Sequence, residues 1–444
     1  MYKAQHSINT FFKDILFESK NHHSFLPMVL LLVTLPLHNG LNNVMLVLYA
    51  LSVIFSFKRE NVHWVKNLFP LIVLFFMTIL SLSWSIDLER SLRALPRFTA
   101  FLLVPLLFML SKPFSRKQLS QILRIYSYSI VIYCLFFTLK AFSLYVFSQD
   151  VSVFFFHGLV PKELNAVHVS VYVGMAFFIL IQQTPKSYLT TLSLLLLFVF
   201  MILLSAYAIL ITFLLLFIFY LFYFTQTGKQ LRLRNLIVFI LLIGSVFFTG
   251  KIQNSVEREL KANTEKSINH TVIAKEEVGL RIVSIKEAWS NEKFSPNDFF
   301  PGTAFRVYQV RMFIELFQEE NVFWTGFGLN ASNKKLEEKA IKYDVFRGNK
   351  TQEGYQNKNF HNQYIQNFAE LGVLGFLILV IIICIIMKNA FKNKDFVQIS
   401  FAVLMISLFL TESFLWRQRG VMFFCLMYCL FNAKESLAPI KEKI

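Results

Sequence analysis

The sequence predicts an all-α, polytopic helical membrane protein, and three observations carry that reading. Of the 444 residues, 55% are hydrophobic and 16% aromatic, and mean hydropathy is +0.53. A soluble domain of this length would be far more polar. Runs such as 192–204 and 371–387 are long and apolar enough for a bilayer. Those runs do not alternate polar with apolar, which excludes a β-barrel.

Twelve candidate spans follow, near 25–38, 41–57, 67–84, 97–110, 122–147, 165–181, 188–205, 207–224, 235–249, 363–387, 396–415 and 420–432. The polar start, residues 1–24, has no small-residue cleavage site, so the first span is expected to stay uncleaved. With both termini inside, the inner segments hold 20 Lys/Arg, from Lys3 and Lys13 through Lys441 and Lys443. The short outer loops hold 6: Arg90, Arg93, Arg97, Lys162, Arg417 and Arg419. That is the positive-inside asymmetry. The formal net charge of +17 is then mostly topology and needs no nucleic-acid partner.

The spans are closely spaced except once, which divides the chain into a membrane bundle over 1–249, a large outer loop over 250–362 and a C-terminal bundle over 363–444. The loop carries 17 Lys/Arg against 15 Asp/Glu, so it is no basic arm, and its Trp289, Trp324 and many phenylalanines predict folded structure. Within it, residues 303–320 read as an amphipathic helix. Val310, Phe313 and Phe317 share a stripe with Arg306, whereas Arg311 and Glu315 fall opposite, toward water. The four cysteines, Cys134, Cys384, Cys425 and Cys429, lie in apolar spans without metal-type spacing. No Asp-x-Asp pair, His-Glu-x-x-His or P-loop occurs, so metal dependence and direct ATP use are not expected.

Residues 360–380, FHNQYIQNFAELGVLGFLILV, set a titratable side chain at the mouth of a span. Continued as a helix, His361, Ile365, Phe368, Gly372, Gly375 and Leu379 share one face, and the glycines let a neighbouring helix come close. The His-Asn, nine residues and Gly-x-x-Gly resemble the signature of the O-antigen ligase/polymerase superfamily. "SLSWSIDLERSLRALPRFTAFLLVPLLF" (81–108) is similar to that superfamily's serine-tryptophan-rich early outer loop. Arg306 followed by "TGFGLN" (325–330), with Gly328, is similar to its Arg…Gly-x-Gly segment, and "LTESFLWRQRGVMFFCL" (410–426), with Glu412 and Gly420, to its penultimate loop.

The resemblance implies a GT-C-like membrane enzyme of a bacterial plasma (inner) membrane. Such an enzyme transfers a glycan, on the outer side, from a polyprenyl (undecaprenyl) diphosphate carrier to an acceptor hydroxyl. A ligase uses a lipid A-core sugar, a polymerase another carrier-linked repeat and a related enzyme a protein hydroxyl. It implies no cofactor and no metal. The anionic leaving group calls for arginines, which grip phosphate oxygens bidentately; Arg306, Arg281, Arg97 and Arg93 are the expected diphosphate ligands, with Arg417 and Arg419 also outside. The acceptor calls for a base, and imidazole titrates near neutral pH. His361 is the expected base, Glu412 its orienter or an acceptor ligand, and Asn362, Gly372, Gly375 and Gly328 structural motif positions. A twelve-span transporter is the alternative from another class. Against it stand the absence of an internal repeat and the scarcity of intramembrane charges, Lys140 being the main one.

Overall fold

The computed structural model describes residues 13–161, 163–184, 186–225, 281–348 and 354–433. Helices dominate it: α1 (Phe25–Val33), α2 (Asn39–Phe55), α3 (Phe69–Leu80), α4 (Leu88–Ala94), α5 (Ala100–Leu110), α6 (Arg116–Ser148), α7 (Ala166–Ile181), α8 (Tyr188–Leu203), α9 (Tyr207–Tyr223), α10 (Ile285–Ser290), α11 (Gly302–Glu319), α12 (Ser332–Lys342), α13 (Gln363–Asn393), α14 (Phe396–Thr411) and α15 (Gln418–Asn432). Eleven of the twelve expected spans coincide with helices. The twelfth, 235–249, lies outside the described residues. Among the described residues, four helical segments are long and apolar enough to cross a membrane, namely Lys66–Trp84, Leu88–Leu110, Arg116–Ser148 and Gln363–Asn393.

The bundle organises around helices that are buried on every side. In α7 every residue but Val167 is buried, and in α15 everything from Gly420 to Asn432 is. An all-round apolar helix belongs at the centre of a bundle rather than at its rim. α7 packs against α6, α8, α9 and α14, while α15 packs against α5. α6 starts at a capping box in which Ser115 and Gln118 satisfy each other's backbone donors.

The polar segment builds its own small core. Val283, Ala288, Phe300, Phe305, Tyr308, Met312, Phe327 and Leu336 form it, joined by Phe360 and by Ala369 of α13. It also holds the strand pairing among the described residues: β1 (Arg281–Ile282) lies parallel to β2 (Asp298–Phe299). The expected stripe of α11 is corrected here. Its buried face is Ala304, Phe305, Tyr308, Met312 and Leu316, because the segment's own core takes that side. Phe313 and Phe317 turn instead toward Phe360 and Phe368, with ring centroids 4.9–6.0 Å apart.

α13 is broken at Gly372, which has φ 65° and ψ −167°. The break strands the carbonyls of Ala369 and Glu370 and the N–H of Val373, and a neighbouring loop completes all three. Phe327 N donates to Ala369 O (2.8 Å), Gly328 N to Glu370 O (2.9 Å) and Val373 N to Phe323 O (2.9 Å). Gly326, also at positive φ, and Gly372 make the approach sterically feasible. A Cβ on Gly372 would sit 2.2 Å from Trp324 O, and one on Gly326 2.5 Å from the Glu370 carbonyl carbon. The close partner that Gly372 admits is therefore a loop and not a helix. Gly375 makes room for the Leu371 side chain across the break, with its virtual Cβ 2.2 Å from Leu371 Cβ. On its other side the loop rests on residues 81–91. Trp84 Nε1 donates to Thr325 O (2.9 Å), Ile86 N to Phe327 O (3.1 Å) and Leu329 N to Ser81 Oγ (3.1 Å).

Gly372→Ala should therefore destabilise the protein by at least about 2 kcal/mol, combining positive-φ strain with a backbone clash. Gly40→Ala, whose Cβ would meet only the His38 ring at 3.2 Å, should stay near wild type. Thermal unfolding of both purified variants in detergent checks this; equal midpoints would mean the break is not held as described.

Candidate active site

The site gathers at the C-terminal end of α14. The last carbonyls of a helix have no partner within it, and two motif residues supply partners here. Asn362 Nδ2 donates to Leu410 O (3.2 Å), and Arg306 Nε donates to Thr411 O (3.0 Å). A guanidinium at a helix C-terminus also meets the negative end of the helix dipole. Asn362 caps the start of α13 as well, because its Oδ1 accepts from Ile365 N (3.0 Å).

His361 thus precedes α13 instead of sharing its face. Its backbone is left-handed, φ 47°, and its N–H donates to Asn359 Oδ1 (3.0 Å). A non-glycine residue in that region is sterically costly and must be held by its surroundings. The ring is one-quarter exposed, packs edge-on to Phe305 with centroids 5.5 Å apart, and sets Nδ1 3.2 Å from Glu412 Oε2. Glu412 follows the last helical residue, Thr411, in extended backbone. Its carboxyl is buried and lies within electrostatic reach of His168 and Arg306.

The arginines divide. Arg306 is bound through Nε, and its Nη atoms have no hydrogen-bond partner among the described residues. Arg97 reaches the same loop from the other side: Nη1 donates to Trp416 O (3.3 Å), and the guanidinium lies 5.2 Å from the Trp416 ring centroid. Arg281, expected to grip diphosphate, is taken up by carboxylates. It holds both oxygens of Asp298 (2.9 and 3.1 Å) and Glu287 (3.2 Å) and fastens β1 to β2. Arg93 stays out on α4, exposed and paired with Glu89. Arg419 clamps the carbonyls of Leu37 and Glu163.

Arg311 does not face water, contrary to the helical-wheel reading. It donates to Glu315 (2.8 Å), to Asn291 O (2.8 Å) and to the Tyr343 hydroxyl (3.2 Å). Lys339, only 4% exposed, donates to the same Glu315 (2.8 Å). These side chains tie α11 to α12 beside the apolar core that the two helices share.

Sequence reasoning passed over four polar residues in the first turns of α13: Gln363, Gln366, Asn367 and Glu370, all buried. Their three- and four-residue spacing at the opening of an apolar span was the available signal. It also passed over His168, which is 1% exposed at the start of α7 with its ring tilted against Phe414, centroids 4.4 Å apart.

Fold and site together define a helical membrane protein whose histidine, glutamate and arginine meet at one helix end. Residues 191–380 match the family model described as Wzy_C, O-antigen ligase, in keeping with the resemblance read from the motifs. The match includes Arg281, Arg306, Gly328, His361, Asn362, Gly372 and Gly375, and stops short of Glu412. It supports a membrane enzyme of the ligase or polymerase type. Comparison with curated proteins finds no match.

The Glu315 cluster gives a pH prediction. Burial would raise the Glu315 carboxyl, but hydrogen bonds from Lys339, Tyr343 and Arg311 outweigh it and hold the group below the ordinary 4.5. A depressed folded value means the contribution is complete above that pH and is lost as pH falls through the folded value. Arg311→Ala should cost roughly 2–4 kcal/mol by leaving Glu315 short of a partner. Glu315→Gln should flatten the acid side of the stability profile. Unfolding midpoints across an acidic pH series test both, and a wild-type acid limb retained in Glu315→Gln would refute the assignment.

Proposed function

We propose that the protein is a glycosyltransferase of the O-antigen ligase type, moving a glycan from a polyprenyl diphosphate carrier to an acceptor hydroxyl on the outer side of the plasma membrane. The observation that carries this reading is the meeting of His361, Glu412 and Arg306 on the last carbonyls of α14. With Nδ1–H donating to Glu412, Nε2 of His361 is left to accept a proton. The acceptor hydroxyl gives that proton to Nε2 as its oxygen bonds to the anomeric carbon. The bond from that carbon to the diphosphate oxygen breaks, and the diphosphate leaves with the electron pair. Arg306, through its unspent Nη atoms, answers the charge that grows on the leaving group, and Arg97 offers a second cation on the same loop.

This reading keeps both termini cytoplasmic and residues 250–362 outside. It also disfavours the transporter alternative, for which the sequence offers no internal repeat and few intramembrane charges. A lipid A-core acceptor is the proposed case; a carrier-linked repeat or a protein hydroxyl would use the same chemistry.

The decisive experiment is transfer from purified lipid-linked glycan in detergent, with chelator present. Wild type should transfer. His361→Ala should lose about 10²–10⁴-fold, the usual contribution of a general base, while still binding donor. Arg306→Ala should lose about 1.5–3 kcal/mol of transition-state stabilisation. Near-normal transfer by His361→Ala, or abolition of wild-type transfer by chelator, would defeat the mechanism. Orientation is checked by reporters: one fused after residue 230 should be active only in the cytoplasm and one near 270 only outside, the reverse pattern overturning the topology.

A further inference from the structure

The two segments that bring His361 and Glu412 together come from different parts of the chain, and one side chain touches the neighbours of both. Gln366, 1% exposed, accepts through Oε1 from Phe360 N (3.2 Å) and from Ser413 Oγ (3.3 Å). Phe360 immediately precedes His361, and Ser413 immediately follows Glu412. The other end of the amide, Nε2, donates to Glu370 Oε1 (2.5 Å) one turn further along α13. A backbone N–H can only donate, so the Phe360 contact fixes which end of the amide is oxygen and leaves the NH₂ for Glu370. Glu370 is in turn held at the helix break, where its carbonyl accepts from Gly328 N (2.9 Å), and Arg97 faces its carboxyl. Gln363 makes a parallel tie, accepting from Leu415 N (2.6 Å) and donating to Asn367 Oδ1 (2.7 Å).

Taking His361 and Glu412 as the reacting pair, as in the functional reading above, we propose that Gln366 is their positioning residue, a clasp oriented by Glu370 that sets the distance between the two segments. His361 sits in left-handed backbone, which relaxes unless its surroundings hold it. The clasp supplies that restraint from a buried, dry position, where each of its hydrogen bonds would be costly to lose. It also links the pair to the loop at 322–329, because the same Glu370 whose carboxyl holds the Gln366 amide lends its carbonyl to that loop.

The test exchanges the polarity of the clasp. Gln366→Glu removes the NH₂ donor and sets two carboxyl groups against each other; the double variant Q366E/E370Q restores a donor–acceptor pair while leaving oxygens toward Phe360 and Ser413. The single variant should lower kcat for glycan transfer about 10–100-fold, the scale of a small misplacement of reacting groups, with KM for the lipid-linked donor unchanged. The double variant should recover most of that loss. A double variant no better than the single, or a loss in the single that only follows the amount of folded protein, would overturn the clasp. A second readout does not need catalysis: in a Cys384→Ser background, H361C/E412C should be bridged by a short bismaleimide, and adding Gln366→Ala should reduce the yield. Unchanged cross-linking overturns the clasp whatever the activity. Reduced cross-linking in a protein that transfers no glycan as wild type supports the clasp and defeats the functional reading instead.

Discussion

A helix that breaks inside an apolar environment strands backbone donors and acceptors where water cannot reach them, at several kcal/mol for each group left unpaired. In α13 that break falls at Gly372, and the segment from Phe323 to Gly328 completes it with three hydrogen bonds. The rest of the site depends on this junction. It fixes the height of the loop against the first turns of α13, and Trp84, Ile86 and Ser81 hold the loop from behind. Three stretches distant in sequence are thereby registered to one another, the loop and α13 by backbone hydrogen bonds and the loop and residues 81–86 by the side chains of Trp84 and Ser81 and the Ile86 N–H.

From that junction the first turns of α13 carry a polar network. Gln363, Gln366, Asn367 and Glu370 are all buried and all hydrogen-bonded. A half-satisfied network would be worse than an apolar core, whereas a closed one specifies a single arrangement. What it specifies is the course of 359–363 against 411–416. The same end of α14 receives Asn362 and Arg306, so the orphan carbonyls of one helix serve as the fixed points for two residues of the motif.

The spans were legible because hydrophobicity and length are properties of the local chain. Eleven of the expected spans coincide with helices, and the residues that converge at α14 were read through their resemblance to a family's motifs. Gly372 was read as a close-approach residue, but whether the approaching body was a helix or a loop depended on ψ, which no local pattern reveals. Arg281 and Arg311 were misjudged for a related reason. A helical wheel says which residues share a face and nothing about what lies opposite. Asp298 and the α12 side chain Lys339 are brought there by tertiary structure. Gln366 was unread because an amide within a polar helix start looks like a solvated turn until its burial is known.

Which cations can serve a phosphate is settled by what each one already holds. An arginine committed in the fold to carboxylates, as Arg281 is, presents little field to a ligand, because its charge is matched locally and displacing a bidentate partner forfeits that pairing. Arg93 pairs with Glu89 at an exposed site, where attraction to a distant anion is screened by solvent and salt. Arg306 and Arg97 differ in that their hydrogen bonds go to carbonyls, while Glu412 and Glu370 act on them from a distance without a paired contact. A positively charged group anchored by neutral acceptors is pre-oriented and still electrostatically available. That is the condition under which a binding site stabilises a developing anion without first having to reorganise. By this criterion the count of arginines matters less than the carbonyls of Thr411 and Trp416, which lie five residues apart on the stretch that also carries Glu412.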